Sequence, residues 1–192
     1  MLDRMDTSQQ GSKILCEDGK WDEARVKTYL SAVEKFRQLL LFCVHVSSGQ
    51  PARGPEITSM RFKNGMLQDR NIFIIGGQFT TVTRYHKSQS NYDLPKVIPR
   101  FLPWRVAQLM TLYLTYVQPF MEMLSVEIDR GCKWSDYIWA DEFGPWETQK
   151  LTDVMKRETA KRLGVTLGTH DYRHVAVFIG RDHVGKAFAK GT

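Results

Sequence analysis

Residues 71–85 read NIFIIGGQFTTVTRY and residues 96–103 read KVIPRFLP, and these two stretches decide the fold class. Both are rich in the β-branched and aromatic residues that favour strands, and the Gly76-Gly77 pair and the segment SQSNYD supply turns. RFKNGML, residues 61–67, is a further extended candidate. The pattern predicts a small antiparallel sheet of about three strands.

Helical spacing dominates on both sides of this sheet. From Trp21 to about Val46 apolar residues recur every three or four positions, which predicts a long amphipathic helix. The loop SSGQPARGPEI then breaks that helix, and a short helix is predicted to restart at Pro55. Further helices are predicted over residues 103–124, 148–163 and 170–189, with a short strand at 137–140. The predicted class is α+β and mainly helical, with the three-stranded sheet packed on helices.

Length and composition fit one folded domain. The 192 residues are 42% hydrophobic and 25% charged, which is near the average for globular proteins and sufficient for a buried core. Residues 1–20 are polar and are predicted to be a flexible leader or linker, and residues 21–192 to be the core. No signal peptide or membrane-spanning run is present, so a soluble, intracellular protein without a membrane partner is expected. The three cysteines show no disulfide or zinc pattern.

The balance of charge favours a polyanionic partner. Lys and Arg number 27 against 21 Asp and Glu, which gives a formal net charge of +6. Such a surface suits nucleic acid, because cationic side chains neutralise phosphates and release counterions. A basic surface with no special role gives the same count, so charge alone leaves both interpretations open.

Three short segments carry residues suited to binding a phosphate group. Arg53 lies in a Gly/Pro loop, with Glu56 three residues on to hold its guanidinium. Lys87 is predicted at a hairpin tip. His170 and Arg173 are predicted on one face at a helix start, beside the positive end of the helix dipole. Taken singly, each also has a structural explanation as a surface ion pair, a solvated lysine or a helix cap.

Together, these segments resemble the catalytic core of tyrosine recombinases and integrases, the DNA breaking-rejoining superfamily. That family has an R-x-x-E loop after a helix, a lysine on a β-hairpin and an H-x-x-R-H helix, here Arg53 to Glu56, Lys87 and His170 to His174. The segments ARGPEI, TRYHKSQ, VIPRFLP and THDYRHVAVFIGR most resemble the recombinase domain of fungal crypton mobile elements and related domains near RecQ-like helicase regions. The resemblance covers roughly residues 25–190.

The resemblance implies phosphodiester strand transfer in DNA recombination and integration, with no metal and no other cofactor. Arg53 and Arg173 would stabilise the extra negative charge of the pentavalent phosphorane by hydrogen bonds to its non-bridging oxygens. Lys87 would be the general acid and His170 would assist proton transfer or phosphate binding, and Glu56 and His174 have supporting roles. The ligand would be double-stranded DNA in the nucleus. The expected DNA-binding residues are Arg84, Lys87, Lys156, Arg157 and Lys161.

The resemblance fails at the nucleophile. The family's chemistry needs a tyrosine well after the H-x-x-R helix, preceded by a second His or Trp, and no tyrosine follows Tyr172 in this chain. Tyr172 is expected to turn away from the phosphate, and His183 is expected to be a surface residue. The core therefore lacks its C-terminal nucleophile segment, and the chain alone is expected to bind DNA without cutting it.

Two alternatives remain open at this point. The first is an active strand transferase whose tyrosine lies beyond residue 192 or comes from a second protomer. The second is a non-catalytic interaction module fused to, or associated with, a helicase-type protein, in which the motif residues are inherited scaffold.

Overall fold

The computed structural model describes residues 21–66, 68–85, 96–128 and 135–185. Its architecture is α+β and mainly helical, with one three-stranded antiparallel sheet, as predicted. The α-helices are α1 (Glu23–Ser47), α2 (Gly54–Thr58), α3 (Trp104–Leu112), α4 (Gln118–Ile128), α5 (Thr148–Leu163) and α6 (Thr169–Ile179). The strands are β1 (Ile72–Ile75), β2 (Gln78–Tyr85), β3 (Lys96–Phe101), β4 (Ala140–Asp141) and β5 (Gly144–Pro145).

The main sheet has the order β1-β2-β3. Ile75 pairs with Gln78 across Gly76 and Gly77, whose φ angles are +58° and +78°. Two positive φ angles are what a tight two-residue hairpin turn of this twist requires, and glycine adopts them without steric cost. Pro99 lies in β3, where an edge strand tolerates a residue that has no N–H to donate.

The RFKNGML segment was expected to be extended, and its described residues 61–66 form no strand of the sheet. Arg61 makes one isolated bridge to Tyr137, and the main-chain N–H of Phe62 donates to the Asp136 carbonyl at 3.0 Å. The Arg61 guanidinium also contacts the Asp136 carboxylate at 2.8 Å. The segment therefore pairs with the residues before β4, a long-range contact that local sequence pattern does not reveal.

The described residues form two compact units, and the first comprises residues 21–37 together with residues 110–128. Its core contains Val26, Phe120 and Leu124. The Tyr29 ring packs edge-on against Phe120 with 5.5 Å between ring centroids. Val26 and Tyr29 are three residues apart on α1, and Phe120 and Leu124 are four apart on α4, which is the spacing of one face of an amphipathic helix.

One predicted helix over residues 103–124 is interrupted in the structure. A π-helical turn, Tyr113–Val117, separates α3 from α4. Pro119 is the second residue of α4, and because proline lacks an N–H and clashes with the preceding turn, the wider turn accommodates it. Tyr113 is buried, whereas Trp104 and Tyr116, on the same helical stretch, are 69% and 48% exposed.

The second unit comprises Gln38–Leu109 and residues from Ser135 onward, and it contains the sheet. The stacked rings of Trp139 and Trp146 lie in its core, with 6.0 Å between their centroids. Helix α5 has the predicted bounds and ends at Gly164, whose φ of +71° forms the C-terminal cap. Helix α6 was expected to run to residue 189, but its α-helical part ends at Ile179 and a π-helical turn follows at Gly180–Val184. Among the described residues, no helix is long and apolar enough to cross a membrane.

Candidate functional site

Arg53 is the residue that begins α2. It has an extended backbone, with φ −70° and ψ 152°, and its main-chain N–H donates to Glu56 Oε2 at 3.1 Å. The sequence predicted that Glu56 holds the Arg53 guanidinium. In the structure the same Oε2 atom lies 3.7 Å from Nη2 of Arg100 in β3. Glu56 therefore fixes the backbone at Arg53 and pairs with an arginine from the sheet.

Sequence reasoning missed Arg100 as a part of this site. Its side chain is almost fully buried, and it donates from Nε to the Gln50 carbonyl at 2.9 Å and from Nη1 to the Thr83 hydroxyl. Burial lowers the pKa of Arg100, Glu56 opposes this effect, and the charge of Arg173 lowers the pKa further. Arg100 thus connects the loop before Arg53, the sheet and α2. Only its place in a VIPRFLP strand was visible in the sequence, and a strand arginine is ordinarily solvated.

The H-x-x-R segment forms the first turns of α6. The Gly168 N–H donates to Asp171 Oδ2 at 2.9 Å, which closes the N-terminal cap. His170 is 85% exposed at its side chain. Its Nε2 atom lies 3.1 Å from His174 Nε2. One of these two nitrogens must donate and the other accept, so the pair shares a single proton in this contact.

Helix α5 brings the beginnings of α2 and α6 to one place. A Cβ atom added to Gly54 would lie 2.1 Å from Thr148 Cγ2, so the start of α2 packs directly on the first turn of α5. One turn further along α5, Thr152 Oγ1 lies 3.1 Å from Thr169 Oγ1 at the start of α6. The loop that carries Arg53 and the helix that carries His170 are thus both anchored to two successive turns of α5.

Beneath α6 lies His45, the second residue that sequence reasoning missed. Its side chain is 1% exposed, and neither ring nitrogen has a hydrogen-bond partner. Burial, together with the charges of Arg100 and Arg173, lowers the pKa of His45 to about 4. His45 is therefore neutral at neutral pH.

Tyr172 lies on the inner side of α6, next to His45. The two ring centroids are 5.6 Å apart, and the Tyr172 hydroxyl donates to the Val46 carbonyl at 2.9 Å. Burial raises the pKa of Tyr172. A hydroxyl that is bound to the main chain and harder to deprotonate is poorly suited to nucleophilic attack, in agreement with the interpretation from sequence.

The structure describes the other residues predicted from the sequence to different extents. Lys87 lies outside the described residues, and for Arg84 the structure gives the backbone alone, which pairs with Val97. Lys156 is exposed, and its Cε lies 3.6 Å from the position of a Cβ on Gly168, beside the start of α6. Lys161 is exposed, and so is the predicted surface residue His183.

Arg157 is less available for DNA than the sequence suggested. Its Nε donates to Glu158 Oε1 at 3.0 Å, and its Nη1 donates to Gln38 Oε1 at 3.1 Å. The guanidinium is thus engaged by α1 and by its own helix. Contact with a phosphate would have to compete with these hydrogen bonds, so Arg157 is the weakest of the predicted DNA-binding residues that the structure describes.

Among the described residues, no group of three or more His, Cys, Asp or Glu side chains is arranged to hold a metal ion. No family model matches the chain, and no solved structure matches it. The geometry of these side chains is therefore the basis for a functional proposal.

Proposed function

We propose that this chain is a DNA-binding domain derived from a tyrosine recombinase, which grips the phosphodiester backbone with Arg53, His170 and Arg173. One observation carries the proposal: α5 holds the start of α2 and the start of α6 on successive turns. Two motif segments that are distant in sequence thereby share one compact unit. Lys156 is at the start of α6 as well, which adds a cation beside His170.

The local charges favour an anion. Arg53, Arg100 and Arg173 contribute three positive charges, Glu56 contributes one negative charge, and His45 is neutral. Asp171 partly offsets this excess, but its carboxylate is engaged with the Gly168 N–H. A phosphodiester carries one negative charge and two non-bridging oxygens, which suits paired guanidinium donors at a helix start.

The ancestral reaction would be strand transfer in DNA recombination or integration. A tyrosine hydroxyl attacks phosphorus, forms the 3′-phosphotyrosyl bond and expels the 5′ oxygen, which Lys87 protonates as general acid. Tyr172 cannot serve as this nucleophile while its hydroxyl is bound to Val46. We therefore propose binding without cleavage for the 192-residue chain. An active transferase would need a tyrosine from beyond residue 192 or from a second protomer.

The resemblance to fungal crypton recombinase domains leads to a proposal for the cellular context of the chain. A recombinase domain of the fungal crypton kind, found near RecQ-like helicase regions, would work on double-stranded DNA in the nucleus as part of a mobile element or of a helicase-associated protein. Support for this setting is the resemblance of the four quoted segments.

A second candidate function is a protein-interaction module. Val175, Phe178 and Ile179 are exposed at i, i+3 and i+4 on α6, and Phe178 is 69% exposed. An apolar stripe of this kind favours contact with a protein partner, such as a helicase region or a second protomer. If this is the main function, Arg53→Ala with Arg173→Ala leaves partner binding intact, and duplex affinity is negligible at any salt concentration.

The decisive experiment measures the affinity of the purified chain for a duplex of roughly 30 base pairs over a salt series. We expect the logarithm of the association constant to fall linearly with the logarithm of the salt concentration. The double variant Arg53→Ala/Arg173→Ala should bind at least about tenfold more weakly at low salt, with a slope reduced by about two, because two phosphate contacts are removed.

A matched control removes the same charge elsewhere. The variant Arg25→Ala/Arg105→Ala deletes two exposed arginines outside the site. It should retain affinity within about threefold of the original chain. Equal losses in both double variants would show that net charge, and no specific clamp, governs binding.

A further inference from the structure

His170 and His174 bring two ring nitrogens together on the surface of α6. The two residues are four positions apart in the helix, so their side chains lie on the same face, one turn from each other. Their Nε2 atoms are 3.1 Å apart, and the ring centroids are 4.4 Å apart. Both side chains are exposed, that of His170 to 85%. The pair of nitrogens is therefore open to a ligand from solvent.

The separation of the two nitrogens is that of two ligands on one metal ion. Imidazole nitrogens that bind one Zn²⁺ ion at about 2.0 to 2.1 Å, with roughly 90° to 109° between the bonds, lie roughly 2.8 to 3.4 Å apart. The observed 3.1 Å falls within that range. Histidines at i and i+4 on one face of a helix are also a recurrent arrangement for binding zinc. A metal ion would replace the proton that the two rings share, and each nitrogen would present a lone pair to it.

Asp171 favours a cation at this pair. Its Oδ1 atom lies 3.9 Å from Nδ1, the second ring nitrogen of His170. A carboxylate on that side of a histidine orients the ring and raises the basicity of the nitrogen that binds a metal. Its charge also offsets the positive end of the helix dipole, which disfavours a cation in the first turn of α6. Lys156 adds positive charge beside Gly168, so coordination, and not net charge, has to hold the ion.

We propose that His170 and His174 form a two-histidine site for a divalent transition-metal ion such as Zn²⁺. Among the described residues no third His, Cys, Asp or Glu side chain completes a metal-binding group, so water fills the remaining coordination positions. Imidazole suits Zn²⁺, Cu²⁺ and Ni²⁺, whereas Mg²⁺ and Ca²⁺ prefer oxygen ligands. The site goes beyond the proposed DNA binding and does not rest on it, because both ligands belong to the chain.

Calorimetric titration of the full chain with Zn²⁺, in the absence of DNA, tests this site. We expect saturable binding by the original chain. His170→Ala and His174→Ala should each weaken this binding by at least about tenfold, because loss of even an outer partner of a metal ligand costs about 10- to 100-fold in affinity. Titration with Mg²⁺ should give no saturable binding. The three cysteines are present in every variant, so any Zn²⁺ that they bind is the same throughout.

Two control variants separate this geometry from the mere presence of histidine. His183→Ala removes an exposed histidine outside the pair and should leave Zn²⁺ affinity unchanged. His174→Ala/Val175→His keeps the number of histidines but moves the second ring by about 100° around the helix. Because Val175 is exposed, this variant should fold normally and bind Zn²⁺ as weakly as His174→Ala. Thermal midpoints measured without metal check the folding of each variant.

Zn²⁺ binding that is weakened in both single variants and in His174→Ala/Val175→His, and that is kept in His183→Ala, supports the site. Equal affinity in the original chain and the two single variants would mean that the ion binds elsewhere, and the inference would be wrong. It would also be wrong if the original chain did not bind Zn²⁺, since the two rings would then be joined by a hydrogen bond alone. Failure of the chain to bind duplex DNA overturns the proposed function and leaves this site standing.

Discussion

At the scale of single residues, the buried pair of Arg100 and Glu56 organises the Arg53 loop. Glu56 Oε2 meets both the Arg53 N–H and the Arg100 guanidinium, and Arg100 also binds the Gln50 carbonyl. Removing one partner of a buried pair leaves the other charge uncompensated, which costs more than the pair itself contributes. The geometry at Arg53 therefore depends on a residue that is not part of its own loop.

We expect Arg100→Met to lower the free energy of unfolding by roughly 3 to 5 kcal/mol, because the largely buried Glu56 carboxylate loses its cation partner and keeps only the Arg53 N–H. In a protein of this size that corresponds to a thermal midpoint lower by roughly 6 to 20 °C. The double variant Arg100→Met/Glu56→Gln should recover part of the loss, since no buried charge remains. Urea unfolding monitored by circular dichroism measures both, and equal losses in the single and double variants would contradict the pairing argument.

His45 should make stability depend on pH. In the folded chain its pKa is about 4, lowered from 6.5, so between these values the unfolded chain binds a proton that the folded chain does not. The contribution of this residue to stability is full above pH 6.5 and is lost as the pH falls to about 4. The loss is on the order of 3 kcal/mol.

The measurement compares urea unfolding of the original chain and of His45→Leu at about pH 7 and about pH 4.5. Other groups titrate in both proteins, so the difference between the two pH effects isolates His45. We expect the original chain to lose more stability on acidification than the variant does. Identical acid sensitivity would show that His45 is accessible to protonation in the folded state.

At the scale of elements, α5 is the support on which the site is assembled. Gly54 is needed at the contact between α2 and α5, because a Cβ would lie 2.1 Å from Thr148 Cγ2. The hydroxyl contact between Thr152 and Thr169 then anchors α6. A short helix such as α2 is marginal in isolation, so its geometry depends on this packing.

We predict that Gly54→Ala lowers the free energy of unfolding by about 1 to 3 kcal/mol and weakens duplex binding, because α2 must move away from α5. Thr148→Ala in the same chain should restore part of both, since the nearest contact atoms are removed while Thr148 Cβ, at 2.8 Å, stays close. Thermal unfolding and the duplex salt series provide the two measurements. A Gly54→Ala chain with unaltered stability would show that the two helices are free to separate.

Some of the helices and strands could be predicted from local sequence pattern alone. The bounds of α5 and the three strands of the main sheet follow from periodicity, turn residues and capping, which act within a few residues. The π-helical turns and the pairing of residues 61–62 with 136–137 do not follow from local sequence pattern. The π-helical turn at Tyr113–Val117 depends on how a helix accommodates Pro119, and the pairing depends on a contact between distant segments.

At the scale of the whole molecule, the proposed function predicts DNA binding without cleavage. Its tyrosines include none after Tyr172, and that residue is hydrogen-bonded to Val46. We therefore expect no covalent protein–DNA adduct when the chain is incubated with a nicked duplex designed to trap a phosphotyrosyl link. Denaturing electrophoresis detects such an adduct, and Tyr172→Phe should behave identically. An adduct that disappears in Tyr172→Phe would make Tyr172 the nucleophile.

Formal net charge of +6 is the other property of the whole molecule that matters, because it sets the general attraction for a polyanion. Which cations contact the ligand is a separate question that charge counting does not answer. Arg157 illustrates this point, since the sequence presents it as one of a basic group and the structure shows it engaged with Glu158 and Gln38.

Sequence pattern was sufficient to predict the α+β class, the long α1 helix and the sheet. It also nominated Arg53, His170 and Arg173, which stay predictions. These follow from side-chain periodicity, turn chemistry and motif order, all of which are local properties of the chain. Only the tertiary structure shows that Arg100 is buried beside Glu56 and that His45 is buried beside Tyr172. Their burial depends on contacts between segments far apart in sequence, and a lone strand arginine or helix histidine carries no local sign that it will be enclosed.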